Sequence, residues 1–172
     1  ELSGKTFGLV GFGNIGKRTA EIAKAFGMKI LYFTPSGKVN SLGTPCDLET
    51  LFSSSDVISL HCPLKPDNIG FVNKELINLM KPTALLLNTA RGQLLNEEDV
   101  ADALNDGRIA GPGLDVLSVE PSAAGNPLLK ARNCIITPHN AWMSKEARQR
   151  IMDITARNIE AFLNKQPQNV VS

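Results

Sequence analysis

Four side chains of the sequence are of the types that proton transfer and carboxylate binding require, and each lies within a predicted strand or follows one. His139 can exchange a proton near neutral pH, Arg91 can hold a carboxylate through two hydrogen bonds, and Asp115 and Glu120 can set the tautomer of a histidine. Reduction of a 2-keto acid by a hydride needs such a cation, such a proton donor and such a carboxylate partner. By sequence alone, Arg91 could equally be a surface charge, and an isolated histidine is more often structural.

The segment from Gly11 to Gly16, Gly-Phe-Gly-Asn-Ile-Gly, matches the G-x-G-x-x-G pattern of dinucleotide-binding loops. It follows a predicted strand and opens a predicted helix, which is the context that makes this short pattern informative. We expect Gly11 to permit the tight turn, Gly13 to let the backbone approach a pyrophosphate, and Gly16 to let helix and strand pack closely. The helix N-terminus would offer N–H groups to the anion. The alternative is a purely structural glycine turn.

The end of the second predicted strand lacks the carboxylate that a dinucleotide site usually has about 20 residues beyond its glycine loop. Thr34 stands there, followed by Pro35, Ser36, Gly37 and Lys38. A carboxylate would repel the 2′-phosphate of NADP, whereas Thr34 and Ser36 would not, and Lys38 could attract it. Either the preference for NAD is weakened or reversed, or Thr34 bonds the ribose hydroxyl and NAD remains the cofactor, since no arginine is nearby to clamp a phosphate.

Short apolar segments alternate with helical stretches along the chain. The predicted strands are 6–10, 29–33, 57–61, 84–88, 113–116 and 134–137, and the predicted helices are 15–26, 47–54, 73–80, 96–105 and 144–164. Several strand segments are apolar without strict alternation, as in parallel strands that are buried on both faces. The alternation predicts an α/β fold of the Rossmann type, a doubly wound parallel sheet in three α/β/α layers.

The composition, 42% hydrophobic and 20% charged over 172 residues, is typical of a globular protein. We expect residues 1–172 to form one dinucleotide-binding domain. The net charge of +1 gives no electrostatic reason to expect nucleic acid or a membrane as a partner. The three cysteines, Cys46, Cys62 and Cys134, form no C-x-x-C pair, which argues against a disulfide framework or a metal site and favours the cytoplasm.

Taken together, four motifs resemble the D-isomer-specific 2-hydroxyacid dehydrogenases, in the order and at nearly the spacing of that family. They are the glycine loop, Asn88-Thr89-Ala90-Arg91-Gly92, Leu114-Asp115-Val116 with Glu120-Pro121, and Thr137-Pro138-His139. The resemblance covers essentially the whole chain. It implies that Arg91 binds the substrate carboxylate and carbonyl, that His139 is the general acid–base, and that Glu120 pairs with His139.

The same resemblance implies a set of contacts with NAD or NADP. It places Asp115 near the nicotinamide carboxamide, and His61 at the cofactor rather than in the chemistry. Together with Thr34, the residues expected to contact the cofactor are Gly11, Gly13, Asn14, Ile15, Gly16, Cys62, Thr89, Ala90, Arg91, Asp115 and His139.

Within the family, the segments around His139 most resemble glycerate dehydrogenases, also called hydroxypyruvate reductases. These segments are His139-Asn140-Ala141-Trp142, the predicted strand from Asn133 to Thr137, and Leu117-Ser118-Val119-Glu120. Trp142 would form one wall of a pocket for a small substrate, or it is a core aromatic at a helix start.

Two departures from the family pattern affect the expected cofactor binding more than the expected chemistry. Asn140 replaces the usual apolar residue beside the histidine, and the short stretch from Thr34 to Asp56 predicts a stunted helix.

Family enzymes have two domains, with the dinucleotide domain inserted into the substrate domain. Because the chain begins without Met and its two ends resemble the two junctions, we expect it to be part of a longer protein and to lack the substrate domain. We therefore expect this part to bind dinucleotide but to turn over little substrate. The resemblance also implies a homodimer. The expected substrates are D-glycerate and hydroxypyruvate. Phosphoglycerate or another D-2-hydroxy acid is an alternative, and so is a dinucleotide-sensing transcriptional corepressor.

Overall fold

The computed structural model describes residues 1–37 and 39–171, so the suggestion that Lys38 attracts a phosphate lies outside the described residues. The chain separates into two compact units, Glu1–Pro138 and His139–Ser172. The expectation that residues 1–172 form one dinucleotide-binding domain stays a prediction.

The first unit is built on a seven-stranded parallel sheet. Its strands are β1 (Thr6–Val10), β2 (Lys29–Phe33), β3 (Thr44–Pro45), β4 (Val57–Leu60), β5 (Leu85–Asn88), β6 (Gly111–Leu114) and β7 (Ile135–Ile136). Their spatial order is β3-β2-β1-β4-β5-β6-β7, and every neighbouring pair is parallel. This confirms the predicted doubly wound sheet of the Rossmann type. The strand order reverses between β1 and β4, and such a reversal opens a crevice at the carboxyl ends of the strands.

Four helices of the first unit cover the sheet: α1 (Asn14–Ala25), α2 (Leu48–Ser54), α3 (Lys74–Leu79) and α4 (Glu97–Asn105). The side chains of Asp47, Asn73 and Asn96 accept hydrogen bonds from backbone N–H groups in the first turns of α2, α3 and α4. These residues are therefore N-caps: Asn73 is the N-cap that its residue type favours at the start of the predicted helix 73–80, and the helices predicted from Asp47 and Asn96 begin one residue later. The helix α2 has seven residues, in line with the stunted helix that the short stretch predicts.

Two apolar cores lie on the two faces of the sheet. Alternate residues of β1 divide between them, since Leu9 packs with Ala20 and Ala23 of α1, whereas Val10 packs in the cluster that contains α2, α3 and α4. This division is what the period of two along a strand requires. It produces the predicted three layers, with α1 on one face and the other helices on the opposite face.

The strand β3 is absent from the sequence-based prediction. It has only two residues, both exposed, so no alternation of apolar and polar residues marks it. Pro45 has no N–H to donate, which is tolerated because β3 is the edge strand of the sheet. The strand β6 also begins two residues earlier than predicted, at Gly111, since glycine and proline do not indicate a strand.

The second unit contains one helix, α5 (Lys145–Leu163), whose N-cap Ser144 accepts a hydrogen bond from the Ala147 N–H. Several large apolar side chains of α5, Met152 and Phe162 among them, are exposed. In the described part of the chain, no helix combines the length and apolar character that crossing a bilayer requires.

Candidate active site

The glycine loop joins β1 to α1 at the reversal of the strand order. Gly11 has a φ of +98°, and a Cβ on it would lie 2.6 Å from the carbonyl carbon of His61. A Cβ on Gly16 would lie 2.5 Å from the carbonyl oxygen of Gly11. Both positions therefore require glycine for packing within the protein. Gly13 differs, since nothing lies within 4 Å of the point where its Cβ would be.

The N-terminus of α1 has no side-chain cap. Gly13 is its N-cap residue, and its first turn contains no acidic residue. The other four α-helices of the described chain are each capped by an Asp, Asn or Ser side chain. The first N–H groups of α1 therefore lack the side-chain acceptor that the other helices have, and they face the open space at Gly13. This arrangement fits a pyrophosphate, because an anion is stabilised by a helix N-terminus.

Phe12 anchors the loop to the core. Its ring stacks on that of Tyr32 with centroids 4.0 Å apart, and the N–H of Gly11 donates to the carbonyl oxygen of Phe33 over 2.9 Å. The loop is thereby held against the carboxyl end of β2, where Thr34 follows.

A cavity of about 590 Å³ opens beside this loop, a volume typical of a small-molecule site. Segments that follow β1, β2 and β4 line it, and they include the predicted cofactor residues Gly11, Gly13, Thr34 and Cys62. Asn14 and Ile15 lie next to it on the exposed side of the first turn of α1. The structure thus brings these predicted cofactor residues to one place.

His61 and Cys62 are among the residues that line this cavity. The imidazole Nε2 of His61 lies 3.0 Å from the Ser59 hydroxyl, and burial lowers the pKa of His61. Burial also raises the pKa of the Cys62 thiol. A neutral imidazole and a protonated thiol suit residues that contact a cofactor rather than perform the chemistry.

The loop that carries Arg91 is held by a buried asparagine. The Asn88 side chain accepts a hydrogen bond from the Ala90 N–H at 3.0 Å and donates one to the Arg91 carbonyl at 2.9 Å. The guanidinium of Arg91 is exposed and donates to the Ala90 carbonyl at 2.6 Å. Thr89 is exposed and Ala90 is half-buried beside it.

A second set of contacts ties this loop to the segment after β6. Gly92 packs directly on the backbone of Leu117, and the Gln93 amide donates to the Ser118 carbonyl at 2.8 Å. The carboxylate of Glu97 accepts from the Ser118 N–H and hydroxyl, each at 2.7 Å. Arg91 is therefore positioned relative to the segment that leads to Glu120.

The two predicted carboxylates lie in different surroundings. Asp115 is buried, and it accepts a hydrogen bond from the Thr137 hydroxyl. Glu120 is exposed, and its carboxylate accepts from the Leu117 N–H at 3.0 Å. Thr137 lies two residues before His139 in the chain, so Asp115 contacts the end of the segment that leads to the histidine.

His139 belongs to the second unit, where its backbone has a φ of +52°. The indole N–H of Trp142 donates to the His139 carbonyl at 2.9 Å. Trp142 is 50% exposed and so is not a core aromatic within this unit. Its role at a substrate pocket stays a prediction, as does the joint action of His139 with Arg91 and Glu120.

The residues that position the others had no role evident in the sequence, although two of them lie within the Arg91 motif; they are Asn88, Gly92, Gln93 and Glu97. A polar residue at the end of the apolar strand β5 was a signal for Asn88. Glu97 resembled an ordinary first-turn acid of a helix, because its partner Ser118 is 21 residues away. Within residues 1–37 and 39–171, no group of three or more His, Cys, Asp or Glu side chains could hold a metal ion.

Comparison with known proteins identifies the family of this chain. The family described as D-isomer specific 2-hydroxyacid dehydrogenase, NAD binding domain, matches residues 1–141. A hydroxypyruvate reductase of Blautia hydrogenotrophica is 50% identical over 175 residues, covering 100% of this chain and 54% of the relative. A glycerate dehydrogenase of Methylorubrum extorquens is 45% identical over 173 residues, covering 99% of this chain and 54% of the relative.

Among solved structures, an acyclic imino acid reductase in complex with NADPH and D-Arg is similar to this chain with a TM-score of 0.94 and 40% identity. The match covers 100% of this chain and 55% of that one. The chain spans about half the length of these relatives. It belongs to the D-isomer-specific 2-hydroxyacid dehydrogenase family, of which it is an NAD-binding domain.

Proposed function

We propose that the full-length protein interconverts a small D-2-hydroxy acid and its 2-keto acid with NAD or NADP, and that D-glycerate and hydroxypyruvate are the pair. The observation that carries this proposal is the loop of Arg91, which Asn88 and Gly92 hold against the segment leading to Glu120. An arginine whose loop is fixed in this way and whose guanidinium is exposed suits the binding of the carboxylate of a keto acid. The names of the two relatives at 50% and 45% identity support the choice of substrate.

Three residues perform the chemistry in this proposal. A nicotinamide held by the cofactor residues would be the source of the hydride for the keto carbon, and its acceptor in the reverse direction. The guanidinium of Arg91 binds the substrate carboxylate and polarises the carbonyl. His139 donates a proton to the oxygen that becomes the hydroxyl, and takes it back in the reverse direction. Glu120 holds the tautomer of His139 and stabilises its protonated form.

The remaining predicted residues would hold the cofactor. Gly13, Asn14 and Ile15 would face the pyrophosphate, and Thr34 and Cys62 would contact the adenosine half. Thr89, Ala90 and Asp115 would contact the nicotinamide half. The uncapped N-terminus of α1 and the open space at Gly13 support the first of these placements.

Trp142 would restrict the substrate to a small one. A phosphorylated substrate would need basic side chains at this place, and the apolar pair Ala141-Trp142 offers none. This argues against phosphoglycerate, which stays the alternative within the family.

Steady-state kinetics of the full-length protein with a panel of keto acids tests the proposal. With NADH or NADPH present, we expect kcat/KM for hydroxypyruvate to exceed that for phosphohydroxypyruvate and pyruvate by about tenfold or more, because small differences in pocket fit are worth this much. A preference for phosphohydroxypyruvate would contradict the substrate assignment. No turnover of any keto acid, with dinucleotide binding intact, would instead favour a dinucleotide sensor.

We also propose that the protein is a homodimer and that it is located in the cytoplasm. Ile22 of α1 and the C-cap residue Phe26 lie about one turn apart and are 61% and 59% exposed, which supports a protein–protein contact on this face. The three cysteines are all free, which supports a reducing compartment. Sedimentation of Phe26→Glu should show a monomer if this face forms the dimer. An unchanged dimer would place the interface elsewhere.

A further inference from the structure

We propose that the adenosine end of the cofactor site accepts the 2′-phosphate of NADP, so that NADPH and NADH bind with similar affinity. This inference rests on the proposed function, in which the cavity beside the glycine loop receives the adenosine half of the dinucleotide. It goes further by assigning the residues that remove the usual discrimination against NADP.

The carboxyl end of β2 is the place where this discrimination normally occurs, because a carboxylate there binds the ribose hydroxyls and repels a phosphate. The hydrogen bond from the Gly11 N–H to the Phe33 carbonyl fixes this strand end beside the glycine loop. Thr34 follows directly and lines the cavity. The side chain at the discriminating position is therefore a neutral hydroxyl.

Thr34 and Ser36 act as a pair. Their hydroxyl oxygens lie 3.1 Å apart, and the turn that carries them is closed by a hydrogen bond from the Gly37 N–H to the Thr34 carbonyl at 3.2 Å. Pro35, between them, limits the freedom of this turn. A hydroxyl both donates and accepts, so the pair can bond a ribose hydroxyl or a phosphate oxygen, whereas a carboxylate only accepts.

Two charged side chains line the cavity among the described residues, Lys65 and Asp67, and they carry opposite charges on the segment after β4. Neither lies at the strand end that Thr34 follows. The ion pairs Arg18–Glu21 and Lys81–Asp56 do not involve the Lys65 ammonium.

The first acidic residue after β2, Asp47, is also engaged elsewhere. Its carboxylate caps α2 by accepting from the Thr50 N–H at 2.7 Å, and it is not among the lining residues. Among the described residues 34–37 the strand end therefore bears no charged side chain, and Lys65, which lines the same cavity, carries an ammonium that can approach a phosphate.

Calorimetric titration of the full-length protein tests this inference. NADH and NADPH should give dissociation constants within about tenfold of each other, and adenosine 2′,5′-bisphosphate should bind at least as tightly as 5′-AMP, because Thr34 at the end of β2 does not repel the added phosphate as a carboxylate would. NADPH binding weaker than NADH by more than this factor would overturn the inference and leave the proposed function intact. Binding of neither dinucleotide would overturn both.

Two substitutions assign the effect to residues. Thr34→Asp should weaken NADPH about tenfold or more without weakening NADH, since it restores the repelling carboxylate. Lys65→Gln should weaken NADPH and adenosine 2′,5′-bisphosphate but not NADH, whereas Lys74→Gln, an exposed lysine of α3 outside the cavity, should change neither. Retained NADH binding shows that each variant is folded. An unchanged ratio of the two affinities in both Thr34→Asp and Lys65→Gln would contradict the assignment.

Discussion

The Arg91 side chain is exposed to solvent. The residues that hold its loop in place take no direct part in the proposed hydride and proton transfer. The sequence indicated Arg91, Glu120 and His139 through motifs, because catalytic side chains are of few types. No positioning role was evident for Gly92, although it lies in the Arg91 motif, or for Glu97, since the role of each depends on a segment more than 20 residues away along the chain. Positioning residues are visible only once the fold brings their partners together.

Asn88 tests this point most simply. Asn88→Ala would leave the Ala90 N–H and the Arg91 carbonyl without their buried partner, and we expect a loss of about 1–3 kcal/mol in the free energy of unfolding. Urea denaturation measures this loss. The control Asn78→Ala changes an exposed residue and should stay within about 0.5 kcal/mol of wild type. Equal stabilities of the two variants would show that the Asn88 contacts do not stabilise the loop.

His61 predicts a pH dependence of stability. Burial lowers the pKa of His61 in the folded protein below its unfolded value of about 6.5. As the pH falls below that value, the unfolded chain binds a proton that the folded chain does not, so the free energy of unfolding decreases. His61→Gln should show a weaker decrease between about pH 6.5 and 5 in urea denaturation. Identical pH profiles would contradict a buried neutral imidazole.

At the scale of the elements, caps and apolar segments account for most of what the sequence predicted. Asp47, Asn73 and Asn96 mark three helix starts, and continuous apolar segments mark the buried parallel strands. The strand β3 escaped prediction because two exposed residues have no periodicity. The exception among the helix starts is α1, whose cap residue Gly13 offers no side chain, and this exception coincides with the candidate cofactor site.

Gly13→Asp separates the stability of α1 from its function. The position has a φ of −78° and open space around it, so the new carboxylate should cap the helix and raise the free energy of unfolding by roughly a few tenths of a kcal/mol. The same carboxylate would repel the pyrophosphate, and the dissociation constants of NADH and NADPH should rise about tenfold or more. Gly125→Asp, at another open glycine, is the control and should change neither quantity. Unchanged dinucleotide binding in Gly13→Asp would contradict the placement of the pyrophosphate.

At the scale of the whole molecule, the chain has about half the length of its relatives. Arg91 and Glu120 belong to the first unit and His139 to the second. The three are therefore grouped as proposed catalytic residues on the basis of their sequence motifs rather than of their geometry. Because a site of this kind must exclude water around the substrate, we expect the 172-residue chain to bind NADH but to reduce hydroxypyruvate at least about 100-fold more slowly than the full-length protein. Equal turnover by the two would show that the remainder of the protein is dispensable.

The most direct test of the account is the effect of His139→Ala in the full-length protein. If His139 transfers the proton, kcat/KM for hydroxypyruvate reduction should fall by about 10²–10⁴-fold, while the dissociation constant of NADH changes by no more than about twofold. Turnover close to that of wild type would contradict the proposed role. So would equal losses of turnover and NADH binding, because they would indicate a structural role for His139.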